Sequence, residues 1–339
     1  MLKIEKNFNL APLTTFKIGQ AAEFFAVIKS LADLREAIEW AKINKKVIHI
    51  IGGGSNILIS GKVKGLVLKN EIRGIEILAR EDDYALVEAM SGESWTKFVS
   101  YTVSHDFYGL ENLFLIYGTV GAAPMQNIGA YGVELKDYFY HLKAIDLKTG
   151  HEKIFAAADC KFGYRDSIFK NKLKGKYFIY AVTMKLKRAP DFKLDYGSIR
   201  EELLKKGISE PYQSDIVKVI TEIRNSKLPN PGVLANAGSF FKNAEISRRK
   251  FAGLLKKYPN IPNFPVGKAT VKIPTGWLIE QAGFKGKQIG PVSMYEHQAL
   301  ILVNHGGATA KDVLSLVKKV KAGVKKKFGI EINEEVNII

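Results

Sequence analysis

The chain contains 339 residues with a mass of 37.7 kDa, a length that corresponds to about two domains. Its 46% hydrophobic and 25% charged residues are typical of a globular protein and exclude disordered and collagen-like chains. The net charge of +17 indicates either an anionic ligand or a solvated basic surface, and the single cysteine, Cys160, excludes an internal disulfide and a cysteine-ligated metal or iron–sulfur site. No apolar run reaches the ~20 residues of a membrane helix, so we expect a cytoplasmic protein without a membrane partner.

The first 70 residues predict a βαβ arrangement. Apolar runs at 24–28, 47–51 and 65–68 are typical of strands. A helix is expected at 31–43, because Ser30 and Asp33 are spaced as an N-terminal capping box. A glycine-rich loop follows the strand at 47–51.

The next 120 residues favour strands over helices. Short β-rich runs occur at 85–89, 142–147 and 177–186, with one helix expected after Ser94. We therefore predict an α+β first domain over 1–195, built from subdomains of about 1–70 and 71–195.

Helices become more frequent beyond residue 195. Four are predicted at 198–206, 215–226, 247–257 and 274–282. Valines and leucines recur at three- to four-residue spacing between 311 and 327, which predicts an amphipathic helix with its lysines towards solvent. We place a second domain at 196–328 and a final strand that returns to the active site at 329–339. Because no helix-turn-helix, RNP or zinc-finger pattern accompanies the charge, we expect no nucleic-acid partner.

Two glycine loops are the strongest chemical signals. The first, Gly52-Gly53-Gly54-Ser55-Asn56, would let backbone N–H groups converge on a phosphate, although a plain turn remains an alternative. It lacks the third glycine of a Rossmann fingerprint. The second loop, 118–132, consists almost entirely of small residues. Two such loops would suit the pyrophosphate and the body of a large cofactor.

A serine lies between a glycine and two aromatic residues in the segment Gly238-Ser239-Phe240-Phe241. Taken alone, such a serine is more often structural than catalytic. A penicillin-binding arrangement of Ser-x-x-Lys and Lys-Thr-Gly motifs fails because these motifs occur in the wrong order. The six histidines lack the spacing of zinc ligands, so no metal is expected.

Several segments together resemble the UDP-N-acetylenolpyruvoylglucosamine reductase family, flavin enzymes of bacterial peptidoglycan precursor synthesis. The resemblance extends from about Asn7 to the end of the chain. It includes both glycine loops, the Ser239 segment, and the segments at 13–19, 163–167, 226–229, 276–283 and 298–300. Tyr196-Gly197-Ser198-Ile199 further resembles the type I branch, in which an additional tyrosine loop covers the substrate.

The resemblance implies a fold, a cofactor and a reaction. The fold would contain a two-part FAD-binding domain of the vanillyl-alcohol-oxidase type and a smaller α+β substrate domain. FAD would be bound noncovalently, NADPH would reduce it, and a UDP-sugar carrying an enolpyruvyl group would then be reduced to UDP-N-acetylmuramate. The family is usually monomeric, so a monomer is expected.

The resemblance also assigns roles to residues. It implies Arg165, Ser239 and Glu335 as catalytic: an arginine that pairs with the substrate carboxylate, a proton donor and a carboxylate partner. For cofactor binding it implies Gly52, Gly53, Gly54, Ser55, Asn56, Thr119, Gly121, Ala122 and Gly129. For substrate binding it implies Tyr196, Lys227, Asn243, Lys272, Lys285 and Gln298.

Departures from the family pattern affect these assignments. Tyr117 stands where the family often has a proline, at the entry to the second glycine loop. Asn337 stands where the family often has an arginine, and Glu334 beside Glu335 leaves the register of the catalytic glutamate open. Two other functions remain possible on the sequence: a FAD-dependent alcohol or sugar oxidase of the same fold, and a basic protein that binds a polyanion.

Overall fold

The computed structural model describes residues 2–339; residue 1, which the predicted first domain includes, lies outside this range. The helices of this range are α1 (Leu31–Ile43), α2 (Trp95–Ser104), α3 (Ala157–Cys160), α4 (Ile199–Lys205), α5 (Gln213–Lys227), α6 (Arg248–Lys257), α7 (Thr275–Gln281) and α8 (Ala310–Phe328). Its strands are β1 (Glu5–Asn9), β2 (Ala21–Ile28), β3 (Ile48–Ile51), β4 (Ile57–Leu58), β5 (Val63–Asn70), β6 (Ile75–Arg80), β7 (Tyr84–Met90), β8 (Gly129–Ala130), β9 (Val133–Glu134), β10 (Phe139–Asp146), β11 (Glu152–Ala156), β12 (Tyr177–Lys187), β13 (Ala235–Ser239), β14 (Ala244–Ser247), β15 (Phe264–Val266), β16 (Thr270–Ile273), β17 (Gln288–Ile289), β18 (Val292–Met294), β19 (Ile301–Asn304) and β20 (Asn337–Ile338).

The chain divides into two compact units. The first contains residues 2–8, Ala21–Gly53 and Lys62–Asn225, and the second contains Asn9–Gln20, Gly54–Gly61 and Ser226–Ile339. This division near residue 225 differs from the predicted boundary at 195. The reason is that α4 and α5 bury their apolar residues together with Phe114 and Tyr131 of the first unit.

The first sheet of the first unit has the order β1-β2-β5-β3, and β2 and β3 both run parallel to β5. Helix α1 connects β2 to β3 and begins with the predicted capping box between Ser30 and Asp33. Its apolar face, including Leu34 and Ile38, is buried. The predicted βαβ start is therefore confirmed, and the first glycine loop follows the carboxyl end of β3.

The second sheet of this unit is antiparallel, with the order β11-β10-β12-β7-β6. Helix α2, capped by Ser94, buries Trp95 and Phe98 in the same core. The second glycine loop is not extended throughout, because it contains two short 3-10 turns, at Val120–Ala122 and Pro124–Gln126. These sheets and helices confirm the predicted α+β class.

The second unit contains the sheets β13-β19-β18-β17 and β14-β16-β15. Helix α8 begins with a capping box between Thr309 and Asp312 and ends at Gly329, whose φ is +64°. Its valines and Leu316 are buried, Leu314 is exposed, and most of its lysines are exposed. The predicted amphipathic helix is confirmed. None of the helices in residues 2–339 has the length and apolar content needed to cross a membrane.

The C-terminal segment forms less strand than predicted. Only Asn337–Ile338 pairs as a strand, parallel to β4. The preceding Ile330, Ile332 and Val336 are buried in the core of the second unit. Their apolar spacing resembles a strand, but side-chain packing holds this segment instead of a continuous ladder.

Candidate functional site

The two glycine loops contact each other within the first unit. A Cβ atom on Gly52 would collide with Oγ1 of Thr119, and one on Gly53 would lie 2.9 Å from Cα of Gly118. Because no side chain fits at either position, glycine is required for this close approach. Ala122 lies against the same point, 3.7 Å from the position of a Gly52 Cβ.

This contact contains polar groups that lack partners. In the described chain, Oγ1 of Thr119 is buried without a hydrogen-bond partner. The N–H of Gly53 is likewise without an acceptor in residues 2–339. Buried hydroxyl groups in native proteins are normally hydrogen-bonded, so an unpartnered one indicates a ligand atom nearby. A hydroxyl and an amide N–H beside glycines fit phosphate oxygens, such as those of the FAD that the resemblance implies.

Replacing Thr119 by valine is expected to weaken FAD binding about 10-fold, because valine keeps the shape but removes the hydroxyl donor. Without FAD, the variant is expected to unfold at the same temperature as the wild type or slightly above it, because a buried unsatisfied hydroxyl is lost. Fluorescence titration with FAD and thermal unfolding measure the two effects. Thr102→Val is the matched control, because that buried hydroxyl already donates to the carbonyl of Val99. An unchanged FAD affinity in Thr119→Val would exclude this contact.

The second glycine loop is fixed by neighbouring backbone. The N–H of Gly121 donates to the carbonyl of Ser91 at 2.9 Å, and a Cβ on Gly121 would collide with the Ser91 side chain. Ser91 in turn accepts a hydrogen bond from Nδ2 of Asn70 at 2.7 Å. Ser91 stands in no sequence motif and was therefore not predicted, yet it positions the predicted cofactor residue Gly121.

Arg165 occupies a tight turn beside the second glycine loop. The N–H of Gly163 donates to the carbonyl of Asp166 at 3.0 Å, and Arg165 between them has a left-handed φ of +51°. Asn127 donates to the carbonyl of Gly163 at 3.0 Å, which attaches the turn to the loop. A left-handed non-glycine residue is strained, and such strain is common at functional sites.

The guanidinium of Arg165 contacts Gly129 directly. Nη2 donates to the Gly129 carbonyl, and a Cβ on Gly129 would lie 2.9 Å from Nη1. The Arg165 guanidinium also lies 5.5 Å from the centre of the Tyr164 ring. The structure thus brings together Arg165 and Gly129, which the sequence analysis assigned to different roles.

Arg224 on α5 is a half-buried cation that was not predicted from the sequence. Its Nε is buried without a partner in the described residues, and burial lowers the pKa of its guanidinium. It interacts electrostatically with Tyr131, and burial raises the pKa of the Tyr131 phenol. Tyr131 contacts the tyrosine loop, because a Cβ on Gly197 would lie 3.3 Å from its ring. The sequence did carry one sign of Arg224: it precedes Lys227, a predicted substrate residue, by three positions and so lies on the same face of the helix.

In the second unit, Ser239 ends β13 at an irregularity in its pairing with β19. Gly238 before it has a φ of +70°, and the N–H of Phe240 after it donates to the carbonyl of Leu300 at 2.8 Å. Phe240 and Phe241 are both buried in the core. The half-buried Ser239 is therefore held between a glycine turn and two aromatic anchors.

The backbone of Glu335 lies beside the Ser239 segment. Its N–H donates to the carbonyl of Phe240 at 2.8 Å. The neighbouring Glu334 instead forms an ion pair with Lys321 at 2.8 Å. The backbone of both glutamates runs beside the Ser239 segment, since Glu334 forms a bridge with Phe241 and Glu335 bonds to Phe240.

The end of the first glycine loop is held within the second unit by residues distant in sequence. Nδ2 of Asn337 donates to the carbonyl of Asn56 at 3.1 Å. The N–H of Thr15 donates to the carbonyl of Gly54 at 3.1 Å, and its hydroxyl donates to the carbonyl of Asn236 at 2.7 Å. The residue that departs from the family pattern, Asn337, thus supports the loop that contains Ser55 and Asn56.

Two predicted substrate residues meet at the first turn of α7. Oδ1 of Asn243 accepts from the N–H of Thr275 at 3.0 Å, and a Cβ on Gly276 would lie 2.8 Å from Oε1 of Gln298. Lys285 lies beyond the other end of α7, where it pairs with Glu280 at 2.8 Å.

The three remaining predicted substrate residues lie elsewhere. Lys272 on β16 is 3.9 Å from a carboxylate oxygen of Glu245. Lys227 is exposed at the end of α5. Tyr196 lies in the first unit, and a Cβ on Gly132 would be 3.1 Å from its Cβ. In residues 2–339 no cluster of three histidine, cysteine, aspartate or glutamate side chains is arranged to hold a metal ion.

Comparison with protein families matches both halves of the chain. Residues 22–154 match a model described as FAD binding domain. Residues 230–339 match a model described as UDP-N-acetylenolpyruvoylglucosamine reductase, C-terminal domain.

Relatives of the same name match the whole chain. The chain is 44% identical to the UDP-N-acetylenolpyruvoylglucosamine reductase of Flavobacterium johnsoniae, covering 100% of both sequences. It is 43% identical to that of Bdellovibrio bacteriovorus, covering 98% of this chain and 99% of the relative.

Two solved structures have a similar fold. The reductase of Thermus caldophilus superposes with a TM-score of 0.68 at 21% identity, covering 100% of this chain and 99% of that structure. The 6-hydroxy-D-nicotine oxidase of Arthrobacter nicotinovorans superposes with a TM-score of 0.52 at 13% identity, covering 98% and 87%. Both likenesses concern the fold alone.

Proposed function

Because the chain belongs to the UDP-N-acetylenolpyruvoylglucosamine reductase family, we propose that it uses NADPH to reduce the enolpyruvyl ether of UDP-N-acetylglucosamine to the lactyl ether, UDP-N-acetylmuramate. This reaction belongs to peptidoglycan precursor synthesis. The observation that carries the proposal is that Ser239 and Glu335 stand on adjoining backbone segments of the second unit.

FAD, when bound, supplies the hydride chemistry that connects NADPH to the enolpyruvyl double bond. We assign FAD binding to the two glycine loops, where the Thr119 hydroxyl and the Gly53 N–H can donate hydrogen bonds to it. The remaining assigned residues are Gly52, Gly54, Ser55, Asn56, Gly121, Ala122 and Gly129.

Arg165 binds the carboxylate of the enolpyruvyl group. When hydride adds to the methylene carbon, negative charge develops on the adjacent carbon and is shared with this carboxylate. A guanidinium suits this role because it stays charged and presents several donors in a fixed plane. The contact with Gly129 fixes the orientation of the guanidinium plane. We assign to Glu335 the role of orienting the arginine or of polarising the substrate carboxylate while protonated.

Ser239 donates the proton that completes the reduction. The hydroxyl proton goes to the carbon next to the carboxylate, so that one hydride and one proton saturate the double bond. A serine is a weak acid, and it works here only if it lies within hydrogen-bond distance of a strongly basic carbon. The buried aromatic residues after Ser239 fix its position for this contact.

The nucleotide part of the substrate is assigned to the predicted polar residues. Lysines donate to diphosphate oxygens as point charges. We assign this role to Lys227, Lys272 and Lys285, and the contacts with the sugar and the uracil to Asn243, Gln298 and Tyr196. We further infer a cytoplasmic monomer without a nucleic-acid partner, with predicted domains at 1–195, 196–328 and 329–339.

An anaerobic visible spectrum tests the reaction. The protein is reduced with NADPH and then mixed with UDP-N-acetylglucosamine enolpyruvate. The expected result is that the flavin absorption bleaches and returns when this substrate is added. UDP-N-acetylglucosamine, which lacks the enolpyruvyl group, is the matched control and should leave the spectrum bleached.

The other outcomes identify the alternatives. Recovery of the absorption with oxygen but not with the enolpyruvyl substrate would establish an oxidase. A preparation that neither carries nor binds FAD would overturn the whole proposal.

A further inference from the structure

Lys69 is a half-buried cation directly behind the first glycine loop. It lies on β5 opposite Ile51 of β3, the residue that precedes Gly52. Its ammonium donates a hydrogen bond to the carbonyl oxygen of Gly52. In residues 2–339 no carboxylate forms an ion pair with it. The lysine belongs to none of the motifs discussed above, and the reaction gives it no role.

The contact acts on the peptide group that joins Gly52 to Gly53. The carbonyl of Gly52 and the N–H of Gly53 belong to one planar trans peptide, so they point in opposite directions. An ammonium held on the carbonyl therefore directs the N–H of Gly53 away from Lys69. It also polarises the peptide, which makes this N–H a stronger donor. That N–H is the group without an acceptor in the described chain.

The environment of Lys69 favours an anion nearby. Burial lowers the pKa of its ammonium; Glu71 raises it and Arg73 lowers it further. A desolvated cation bound to a single neutral carbonyl is only partly compensated, and a diphosphate beyond the peptide would supply the missing negative charge. An ordinary surface lysine would instead extend into solvent, as the exposed Lys64 does on the same strand.

We propose that Lys69 is a positioning residue for the FAD diphosphate, which holds the Gly52–Gly53 peptide so that its N–H points at a phosphate oxygen and adds positive charge behind it. This rests on the binding of FAD by this chain.

The test compares FAD affinity among lysine variants. FAD is removed from the full-length protein and titrated back, with binding followed by flavin fluorescence. Lys69→Met, which keeps the apolar stem but loses the charge, is expected to weaken binding about 10- to 100-fold, the range for a hydrogen bond from a charged donor. Lys69→Arg is expected to retain most of the affinity. Lys64→Met, on the exposed face of the same strand, is the control and should bind FAD as the wild type does.

A pH series provides a second readout that does not depend on the folding of Lys69→Met. The wild type should lose FAD affinity at alkaline pH more steeply than Lys69→Arg, because the lysine ammonium deprotonates and the guanidinium does not. Equal affinities for Lys69→Met and wild type, or parallel pH profiles for wild type and Lys69→Arg, would overturn the proposal. A wild type that does not bind FAD would instead overturn the proposed function.

Discussion

Replacing Ser239 by alanine is expected to leave the reduction of the flavin by NADPH unchanged and to slow its reoxidation by the enolpyruvyl substrate on the order of 1,000-fold. The reason is that only the second half-reaction needs a proton at carbon, and general acid catalysis contributes about 100- to 10,000-fold. The fold should be unaffected, because alanine keeps the strand position while Phe240 and Phe241 remain buried anchors.

Anaerobic stopped-flow absorbance measures the two half-reactions separately. Ser315→Ala, at an exposed position of α8 in the same unit, is the matched control and should react as the wild type does. Thermal unfolding of both variants checks the fold. An equal loss in both half-reactions would contradict a role as proton donor, because it would place the defect in FAD binding or in folding.

Helices α1 and α8 were predicted correctly from short sequence patterns. Helix α1 begins after Ser30 and ends at Ile43, as predicted, because both the cap and the apolar spacing lie within the same short segment. Helix α8 was predicted for the same reason, and its valines are buried. Such patterns carry the information within about one helical turn of each residue.

Contacts between distant segments were not predictable from these patterns. Thr15 bonds to Gly54 and to Asn236, which lies 221 residues further along the chain. Nothing in the sequence around Thr15 specifies these partners, because they depend on how the segments of the second unit assemble. The same holds for the division near residue 225, which follows from the burial of α4 and α5 with Phe114 and Tyr131.

Some residues of the candidate site were likewise predictable from local sequence patterns, and others were not. The glycine loops were visible because glycine runs are rare and have a direct conformational reason, and the structure shows that Gly52 and Gly53 admit no side chain. Arg224 and Lys69 were missed because a single arginine or lysine within a helix or strand is usually solvated. Only their burial, and the lack of a carboxylate partner for each among the described residues, distinguishes them.

Replacing Arg165 by methionine is expected to slow reoxidation by the enolpyruvyl substrate about 100- to 1,000-fold, the usual cost of removing one donor from a developing negative charge. The NADPH half-reaction should be retained. The conservative variant Arg165→Lys is expected to recover only part of the lost rate. Its single ammonium must serve both the Gly129 carbonyl and the substrate carboxylate, whereas the guanidinium has separate donors for each.

Ligand binding distinguishes a carboxylate contact from a general defect at this turn. UDP-N-acetylmuramate carries the carboxylate and UDP-N-acetylglucosamine lacks it, so Arg165→Met should weaken calorimetric binding of the first and leave the second nearly unchanged. Arg35→Met is the control, because Arg35 is an exposed arginine of the same unit that pairs only loosely, at 3.4 Å, with Glu152. Equal weakening for both ligands would mean that Arg165 acts through the strained turn that it occupies, with its φ of +51° and its hold on Gly129. Selective weakening would mean that this turn exists to present the guanidinium, and its strain would then have a direct chemical purpose.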